Sequence, residues 1–315
     1  MRALVTGGGG FLGGAIVSQL VKRGDDVVSF SRGRYPELEG LGVTTLVGDL
    51  ADARSVARAV KGCDVVFHVA AKAGIWGSYR HYYQTNVLGT ENVLAACCQQ
   101  GRPPLIYTST PSVVYAGRDQ EGVDETAPYP EKFLAHYPRT KAMAERRVLA
   151  AGREGLATVS LRPHLMWGPR DHHLVPRLIS RARAGKLRLI GTRPNKVDSI
   201  YVENAAEAHL LAADCLARNP SISGRSYFIS QGEPLPLAEL INRILEAAEL
   251  PPVTQRIPAS VAYGTGWLLE CLYKAFAVES EPPMTRFLAR QLSTAHWFDI
   301  GAARRDLGYQ PRISL

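Results

Sequence analysis

The sequence of 315 residues lacks long hydrophobic runs and contains few cysteines. A membrane-spanning helix needs about 20 mostly apolar residues, and no uninterrupted apolar stretch here reaches roughly 18. The five cysteines have the spacing of neither a metal site nor a disulfide framework, which favours a reducing, cytoplasmic setting. The first predicted strand begins at Arg2, so we expect no targeting segment before it.

Basic runs interleaved with aromatic residues are also missing, so we expect no nucleic-acid partner. The formal net charge is nevertheless +8. An anionic substrate, a phosphorylated cofactor or an anionic membrane surface would account for this excess, and so would a generally basic proteome. His172 and His173 are adjacent but have no accompanying cluster of ligands, so we predict no metal site.

A strand, a glycine-rich turn and a helix open the chain. Residues 3–5 are apolar, and apolar residues recur at helical spacing from Phe11 onward. Between them, Gly7, Gly10 and Gly13 form a G-x-x-G-x-x-G fingerprint, which holds a dinucleotide pyrophosphate at a helix N-terminus. We expect Phe11 and Leu12 within this turn to contact the cofactor too. A plain glycine linker is disfavoured, because a strand and a helix flank the turn directly.

The end of the second predicted strand indicates which nicotinamide cofactor binds. An acidic residue usually stands here and binds the ribose 2′-hydroxyl of NAD, but this chain has Ser31 and Arg32, with Arg34 close by. Serine can donate to a 2′-phosphate, and arginine can pair with it through two hydrogen bonds. The sequence therefore favours NADP(H) over NAD(H), unless the arginines are only solvated loop residues.

Two further strands carry polar residues that need an interpretation. Asp49 follows the third strand, where its carboxylate could accept from the adenine amino group or only cap the helix predicted over residues 52–60. His68 lies in a nearly continuous apolar strand over residues 65–71. We interpret His68 as a buried histidine with satisfied hydrogen bonds.

The alternation of strands and helices continues to residue 161 and then stops. It predicts an α/β fold, with a Rossmann-type doubly wound parallel sheet over residues 1–162. Residues 163–315 are interrupted by clustered prolines and lack this repeat. We predict that they form a smaller C-terminal substrate-binding portion, with some segments returning to the sheet edge.

Tyr137 and Lys141 stand four residues apart in a predicted helix, so their side chains share one face. A phenol with a pKa near ~10 is a poor acid at neutral pH, and an adjacent ammonium lowers that pKa. Residues 108–112 carry several hydroxyls at the carboxyl end of strand five, where ligands of parallel sheets bind. One of these hydroxyls could hold a substrate carbonyl oxygen while Tyr137 transfers its proton.

Together these segments resemble the extended short-chain dehydrogenase/reductase superfamily over nearly the whole chain. The resemblance implies that Tyr137 is the proton donor and Lys141 its modulator. It places the active-site hydroxyl at Thr110, with Ser109 and Ser112 as neighbouring alternatives. The additional cofactor contacts that it implies are Leu50, Ala70, Asn86, Thr108 and Pro163.

Within the superfamily, residues 107–114, 125–130 and 282–287 resemble the 3β-hydroxysteroid dehydrogenase-like branch. Residues 161–178 and 197–208 are most similar to the bacterial 2-alkyl-3-oxoalkanoate reductases of olefin biosynthesis, and sterol-4α-carboxylate dehydrogenases look similar at the same places. Thr110 departs from the serine that steroid enzymes usually carry.

The resemblance implies NADPH-dependent reduction of a ketone in an apolar substrate to a secondary alcohol, first of all a 2-alkyl-3-oxoalkanoate to its β-hydroxy acid. A 3β-hydroxysteroid or sterol-4α-carboxylate dehydrogenase is one alternative. An NDP-sugar epimerase or dehydratase is another, although Ser31 and Arg32 disfavour its tightly held NAD. The Tyr137 and Lys141 pair disfavours a non-catalytic NADP-binding regulator. We also expect a homodimer.

A mostly apolar stretch over residues 261–278 predicts an amphipathic helix, in which Glu270 and Lys274 can pair. This helix could contact a membrane surface peripherally or pack against the substrate portion. We expect its apolar face to hold the alkyl chains of the substrate. Arg170 and Arg177 are expected to receive a substrate carboxylate.

Overall fold

The computed structural model describes residues 1–315, and its centre is a sheet of seven parallel strands. In chain order the strands of this sheet are β1 (Arg2–Thr6), β2 (Asp26–Ser31), β3 (Thr44–Val47), β4 (Val65–His68), β5 (Leu105–Thr108), β7 (Thr158–Pro163) and β12 (Arg225–Ile229). Their spatial order is β3-β2-β1-β4-β5-β7-β12. The order reverses beside β1, as in doubly wound nucleotide-binding folds, so the predicted Rossmann-type sheet is confirmed.

Eight short strands lie outside this sheet. They are β6 (Gln120–Val123), β8 (Met166–Trp167), β9 (Leu189–Ile190), β10 (Lys196–Val197), β11 (Ile200–Tyr201), β13 (Leu235–Pro236), β14 (Arg256–Ile257) and β15 (His296–Phe298). They form one four-stranded sheet and two strand pairs. Most of them belong to the second half of the chain.

Twelve α-helices complete the fold. They are α1 (Phe11–Arg23), α2 (Pro36–Glu39), α3 (Ala53–Val60), α4 (Tyr79–Tyr82), α5 (Gly89–Gln99), α6 (His136–Arg153), α7 (Val175–Arg183), α8 (Val202–Arg218), α9 (Leu237–Ala247), α10 (Ala259–Ala275), α11 (Arg286–Ser293) and α12 (Gly301–Leu307). Shorter helical turns cover Pro111–Val114 and Pro220–Ile222.

Strand β1 shows how the sequence distributes the core between the two faces of the sheet. Successive side chains of a strand point to opposite faces. Ala3 and Val5 accordingly pack with α1 and α8 on one face, whereas Leu4 packs with α3, α5 and α6 on the other. Because both faces are covered by helices, the central strands are apolar throughout.

The second half of the chain takes part in the Rossmann layer as well as forming a lobe of its own. Strand β12 pairs with β7 at the edge of the main sheet, and α8 packs on the same face as α1. A separate apolar cluster, which includes Leu187 and Ile241, joins the segments around α7 and α9. The division of the chain at residue 162 stays a prediction.

Two local expectations differ from the structure, which also has a π-helical turn over Tyr83–Leu88 between α4 and α5. Strand β4 ends at His68 rather than at residue 71. The pairing predicted within α10 is wrong, because Glu270 contacts Arg286 instead, with 2.7 Å between Oε2 and Nη2. No helix combines the length and hydrophobicity that crossing a membrane requires.

Candidate active site

A cleft of about 840 Å³ opens at the carboxyl ends of the central strands. The predicted site residues that line it are Gly7, Gly10, Phe11, Leu12, Gly13, Ser31, Arg32, Asp49, Leu50, Ala70, Thr108, Thr110, Tyr137, Lys141 and Pro163. They come from the ends of six strands, the loops that follow them and the helices α1 and α6, so the topology brings residues that are far apart in sequence to one edge of the sheet. Of the residues expected to contact the cofactor, only Asn86 does not line the cleft.

The glycine turn leaves the backbone uncovered at the N-terminus of α1. Gly7 has a φ of +73°, a conformation that side chains other than glycine rarely adopt. A Cβ atom at Gly13 would clash with the carbonyl oxygen of Gly7. Because no side chain fills this space, a pyrophosphate can approach the helix N-terminus directly, so the turn fits a dinucleotide.

The far end of the cleft is bordered by Ser31, Arg32 and Tyr35. The hydroxyl of Ser31 has no hydrogen-bond partner in the protein, and Arg32 is exposed. Asp49 is the only acidic side chain that lines the cleft, and it belongs to the loop after β3 rather than to β2. The N-cap of α3 is Asp52, so the capping alternative for Asp49 is wrong.

Helix α6 carries a row of functional groups with a spacing of four residues. Tyr137 and Lys141 line the cleft, and Glu145 follows on the same face, fully buried. Nζ of Lys141 donates to the carbonyl oxygen of Thr108 at 2.6 Å and lies 4.1 Å from the ring centre of Tyr107. These contacts fix the lysine beside strand β5.

The pKa values of this row follow burial more than charge. Burial raises the pKa of Tyr137 to about 12, although the neighbouring Thr110 side chain acts in the opposite direction. The effect of Lys141 on this pKa stays a prediction. Burial lowers the pKa of Lys141 to about 7, while the nearby charge of Glu145 raises it. The phenol accordingly keeps its proton at neutral pH.

Glu145 is held by a buried ion pair that sequence reasoning missed. Its carboxylate accepts from Arg162 at 2.9 and 3.0 Å, from Ser160 at 2.7 Å and from Tyr129 at 2.8 Å. These partners hold the pKa of Glu145 below its usual range despite its burial. The spacing of four residues from Lys141 was the signal that could have found it.

Among the three hydroxyls at the end of β5, Thr110 lies best for a role beside Tyr137. Thr110 and Ser109 both line the cleft, whereas Ser112 lines only a neighbouring cavity. Of the three, only the Thr110 side chain acts on the pKa of Tyr137, which it lowers, and its Oγ1 accepts from the backbone N–H of Ser112 at 3.3 Å.

Asn86 and His68 support the cleft from behind. The side-chain amide of Asn86 donates to Oγ1 of Thr140 and accepts from the backbone N–H of Lys72, at 3.1 and 2.7 Å. Asn86 thus joins the loop after β4 to α6 without reaching the cofactor cleft. His68 is buried between hydroxyls of Thr6 and Thr90, at 2.8 and 3.0 Å, which confirms its interpretation as a satisfied core histidine.

An apolar cavity of about 220 Å³ adjoins the cleft, and both are lined by Thr110, Pro163 and Leu165. Leucine and isoleucine side chains of α7, α9 and α11 form most of its wall. A further cavity of about 360 Å³ lies next to it. The two cavities share six lining residues, which are Leu174, Leu178, Leu237, Ile241, Leu288 and Leu292. Apolar surface therefore extends from Thr110 into the C-terminal lobe.

This arrangement corrects two expectations. Residues 261–278 line neither cavity, so α10 does not provide the apolar walls next to Thr110. Arg177 lines only the distal cavity, where its guanidinium pairs with Glu281 at 2.7 Å, and Arg170 lines neither cavity. No arginine or lysine borders the cavity that adjoins Thr110.

Sequence reasoning also missed a buried histidine at that cavity. His164 follows β7 and lines the cavity, and its Nδ1 atom hydrogen-bonds to Oδ1 of Asp198. No local motif links the two residues, because β7 and the turn after β10 meet only in the folded chain.

The nearby Asp171 carboxylate accepts from the backbone N–H groups of His173, Leu174 and Val175 at the start of α7.

Comparison with known proteins agrees with this geometry. The chain is 53% identical to a 2-alkyl-3-oxoalkanoate reductase of Stenotrophomonas maltophilia (strain K279a) over 100% of this chain and 96% of the relative. It is 33% identical to a mouse (Mus musculus) sterol-4-alpha-carboxylate 3-dehydrogenase, decarboxylating, over 100% of this chain and 88% of that protein. A Thermus thermophilus UDP-glucose 4-epimerase in complex with NAD has a TM-score of 0.76 and 28% identity, covering 100% of this chain and 95% of that structure.

The family model of the 3-beta hydroxysteroid dehydrogenase/isomerase family matches residues 4–257. This range includes the glycine turn, the row on α6 and the strands that form the cleft. The chain therefore belongs to the 3-beta hydroxysteroid dehydrogenase/isomerase family and is an oxidoreductase.

Proposed function

We propose that this protein reduces the ketone of a 2-alkyl-3-oxoalkanoate to the β-hydroxy acid, with NADPH as the reductant. The observation that carries the proposal is the pair of apolar cavities that begins at Thr110 and continues between α7, α9 and α11. Long alkyl chains gain about 0.8 kcal/mol for each buried CH₂ group. The 2-alkyl-3-oxoalkanoate reductase that is 53% identical to this chain supports the same substrate class.

The residues around the cleft have the groups that such a reduction needs. A nicotinamide bound in the cleft supplies the hydride. Tyr137 donates its phenolic proton to the ketone oxygen, and Thr110 donates a hydrogen bond to the same oxygen. Because burial raises the pKa of Tyr137, the phenol is protonated at neutral pH, and it gives up this proton as negative charge develops on the ketone oxygen. Lys141 lies next to Tyr137 and helps to orient the bound cofactor.

The preference for NADPH is supported by the end of β2. Ser31 and Arg32 line the cleft there, and neither residue carries a negative charge that would repel a 2′-phosphate. A charge-assisted pair is worth about 1.5–3 kcal/mol. The comparison of kcat/KM for NADPH and NADH tests this part of the proposal, because an NAD enzyme would favour NADH.

The substrate is tested by NADPH oxidation with 2-alkyl-3-oxoalkanoates of increasing chain length, next to a 3-ketosteroid and a UDP-sugar. We expect kcat/KM to rise with chain length until the cavities are full. A flat series, together with faster turnover of the steroid, would favour a steroid or sterol dehydrogenase. Turnover of the UDP-sugar alone would favour an epimerase or dehydratase.

Peripheral membrane contact through α10 is a second, separate proposal. Its exposed apolar side chains are Val261, Trp267, Leu268 and Leu272, and Phe276 follows at its C-terminus. Such a surface suits the acyl boundary of a bilayer. Co-sedimentation with anionic liposomes at physiological salt tests it, and no co-sedimentation would contradict it.

The homodimer and the place in olefin biosynthesis stay predictions. Analytical ultracentrifugation tests the homodimer.

A further inference from the structure

The cavity that adjoins Thr110 contains two ionisable side chains, and both are histidines. His164 and His296 line it together with leucines, isoleucines and a few uncharged polar residues. Their rings contact each other edge to face, with 5.0 Å between the ring centres. The Nε2 atom of His296 donates to the carbonyl oxygen of Gln291 at 2.8 Å. Burial and the nearby His164 lower the pKa of His296 to about 4, so His296 is neutral at neutral pH.

His164 is oriented by Asp198. The Asp198 side chain is buried, and its second carboxylate oxygen accepts from the backbone N–H of Phe298 at 3.0 Å. An ionised carboxylate is only an acceptor, so Nδ1 of His164 must be the donor in the hydrogen bond to Asp198. The Nε2 atom of His164 makes no hydrogen bond within the protein. One buried anion thus holds a ring whose other nitrogen is free to bind a ligand.

The position of a β-keto acid follows from its covalent structure. Its carboxylate carbon is two bonds from the ketone carbon. A ketone at Tyr137 and Thr110 therefore keeps the carboxylate close to Thr110, whereas the arginines of the two apolar cavities line only the distal one, which Thr110 does not border. The cavity next to Thr110 offers His164 as the group that can become a cation there.

We propose that His164, positioned by Asp198, binds the carboxylate of the substrate and selects keto acids over uncharged ketones. This inference rests on the proposed function. In the complex, the imidazolium donates from Nδ1 to Asp198 and from Nε2 to the substrate carboxylate. The alkyl chains then extend along the leucines and isoleucines of α7, α9 and α11. His164 is a specificity residue that contacts substrate, and Asp198 is a positioning residue.

The test compares a 2-alkyl-3-oxoalkanoate with its methyl ester, which keeps the ketone and the chains but has no charge. His164→Phe keeps a flat ring against His296 and Phe298 and removes both nitrogens. We expect kcat/KM for the acid to fall at least tenfold through a higher KM, and kcat/KM for the ester to change by less than about threefold. His172→Gln, a change at an exposed histidine of the same segment, is the control and should leave both substrates unchanged.

Two further variants separate binding from folding. His164→Gln keeps an amide that can donate to Asp198 but cannot carry a charge, and Asp198→Asn removes the anion that orients the ring. Each should lower the acid-to-ester ratio of kcat/KM, even if His164→Phe fails to fold. Arg177→Gln tests the rival site, and a lower ratio in that variant with a normal ratio in His164→Gln would overturn the inference.

The outcomes distinguish this inference from the proposed function. If the wild-type protein reduces the acid but His164→Gln loses acid and ester activity equally, the inference is wrong and the proposed function stands. If the wild-type protein reduces neither the acid nor its ester, the proposed function is wrong, and the role of His164 falls with it.

Discussion

The cofactor cleft meets the first of the two apolar cavities at Thr110, yet the cleft and the cavities are built by different means. The cleft is formed by exposed backbone and by the ends of parallel strands, and at Gly13 a Cβ atom would already clash. The cavities are formed by leucine and isoleucine side chains from three helices of the C-terminal lobe. The shape of the cleft therefore depends on the absence of side chains at its glycines, whereas the shape of the cavities depends on the volume of their apolar side chains.

The difference explains what each region can recognise. Backbone N–H groups and a helix N-terminus bind any pyrophosphate of the right geometry, so this part of the fold serves many enzymes unchanged. Apolar walls recognise volume and length, which change whenever one side chain changes. Under the proposed function, specificity for the substrate would therefore lie in the cavities, whereas the cleft would specify the cofactor.

The largest effect is expected at Tyr137, which lines the cleft close to the point where the cleft meets the apolar cavity at Thr110. Tyr137→Phe keeps the ring and removes the proton, so kcat should fall about 10²–10⁴-fold while NADPH binds as before. Steady-state kinetics and NADPH fluorescence titration measure the two quantities. Tyr83→Phe removes a tyrosine hydroxyl outside the cleft and should change neither. A kcat near the wild-type value in Tyr137→Phe would show that another group is the acid.

Within the cleft, Arg32→Ala should reduce the preference for NADPH over NADH by roughly 10–100-fold, because a charge-assisted pair with the 2′-phosphate is lost. The change should appear in kcat/KM for NADPH and leave that for NADH nearly unchanged. Arg34→Ala is the matched control, since Arg34 is exposed but does not line the cleft. An equal loss in both variants would point to general surface charge instead of a specific contact.

The same contrast determines how much could be predicted from the sequence. The Rossmann-type sheet was predictable because its signals are local: Gly7 to Gly13 are contiguous with β1 and α1, and apolar strands alternate with helices up to residue 161. Tyr137 and Lys141 were predictable for the same reason, because they share one helix. These patterns need no knowledge of which segments meet in the folded chain.

The pocket walls and the buried charges were not predictable in this way. His164 and Asp198 meet across two segments, and α11 reaches the cavity only because the chain returns from α10. The charge pairing of Glu270 was predicted within its own helix, but Arg286 competes successfully from outside it. The pKa of Tyr137 was predicted from one neighbouring charge, whereas in the folded chain burial is its largest influence and raises it.

The row on α6 should also give a pH-dependent stability. The pKa of Lys141, about 7 in the folded protein because of burial, is lower than the roughly 10.4 expected in the unfolded chain. Between pH 7 and 9 the unfolded chain therefore binds more protons, and the free energy of unfolding rises with pH through this residue, by roughly 1–3 kcal/mol.

Urea denaturation of the wild type and of Lys141→Met across this pH range measures the effect. In Lys141→Met the free energy of unfolding should rise less between pH 7 and 9, by roughly 1–3 kcal/mol. In Lys61→Met, which changes an exposed lysine, the rise should be the same as in the wild type. Parallel curves for the wild type and Lys141→Met would contradict the lowered pKa.

The smallest effect is expected in the cavities, and it should leave the cleft untouched. Ile241 is buried and lines both apolar cavities. Ile241→Phe fills part of the space that the alkyl chains would occupy, so the longest substrates lose about fourfold in kcat/KM for each CH₂ group that is excluded. The optimum chain length should then shift to shorter acids, while KM for NADPH stays constant. Ile313→Phe makes the same change on the surface and should leave the optimum in place. A fall in kcat/KM that is equal for short and long chains would mean that the substituted ring disturbs packing in general, and that the alkyl chains bind elsewhere.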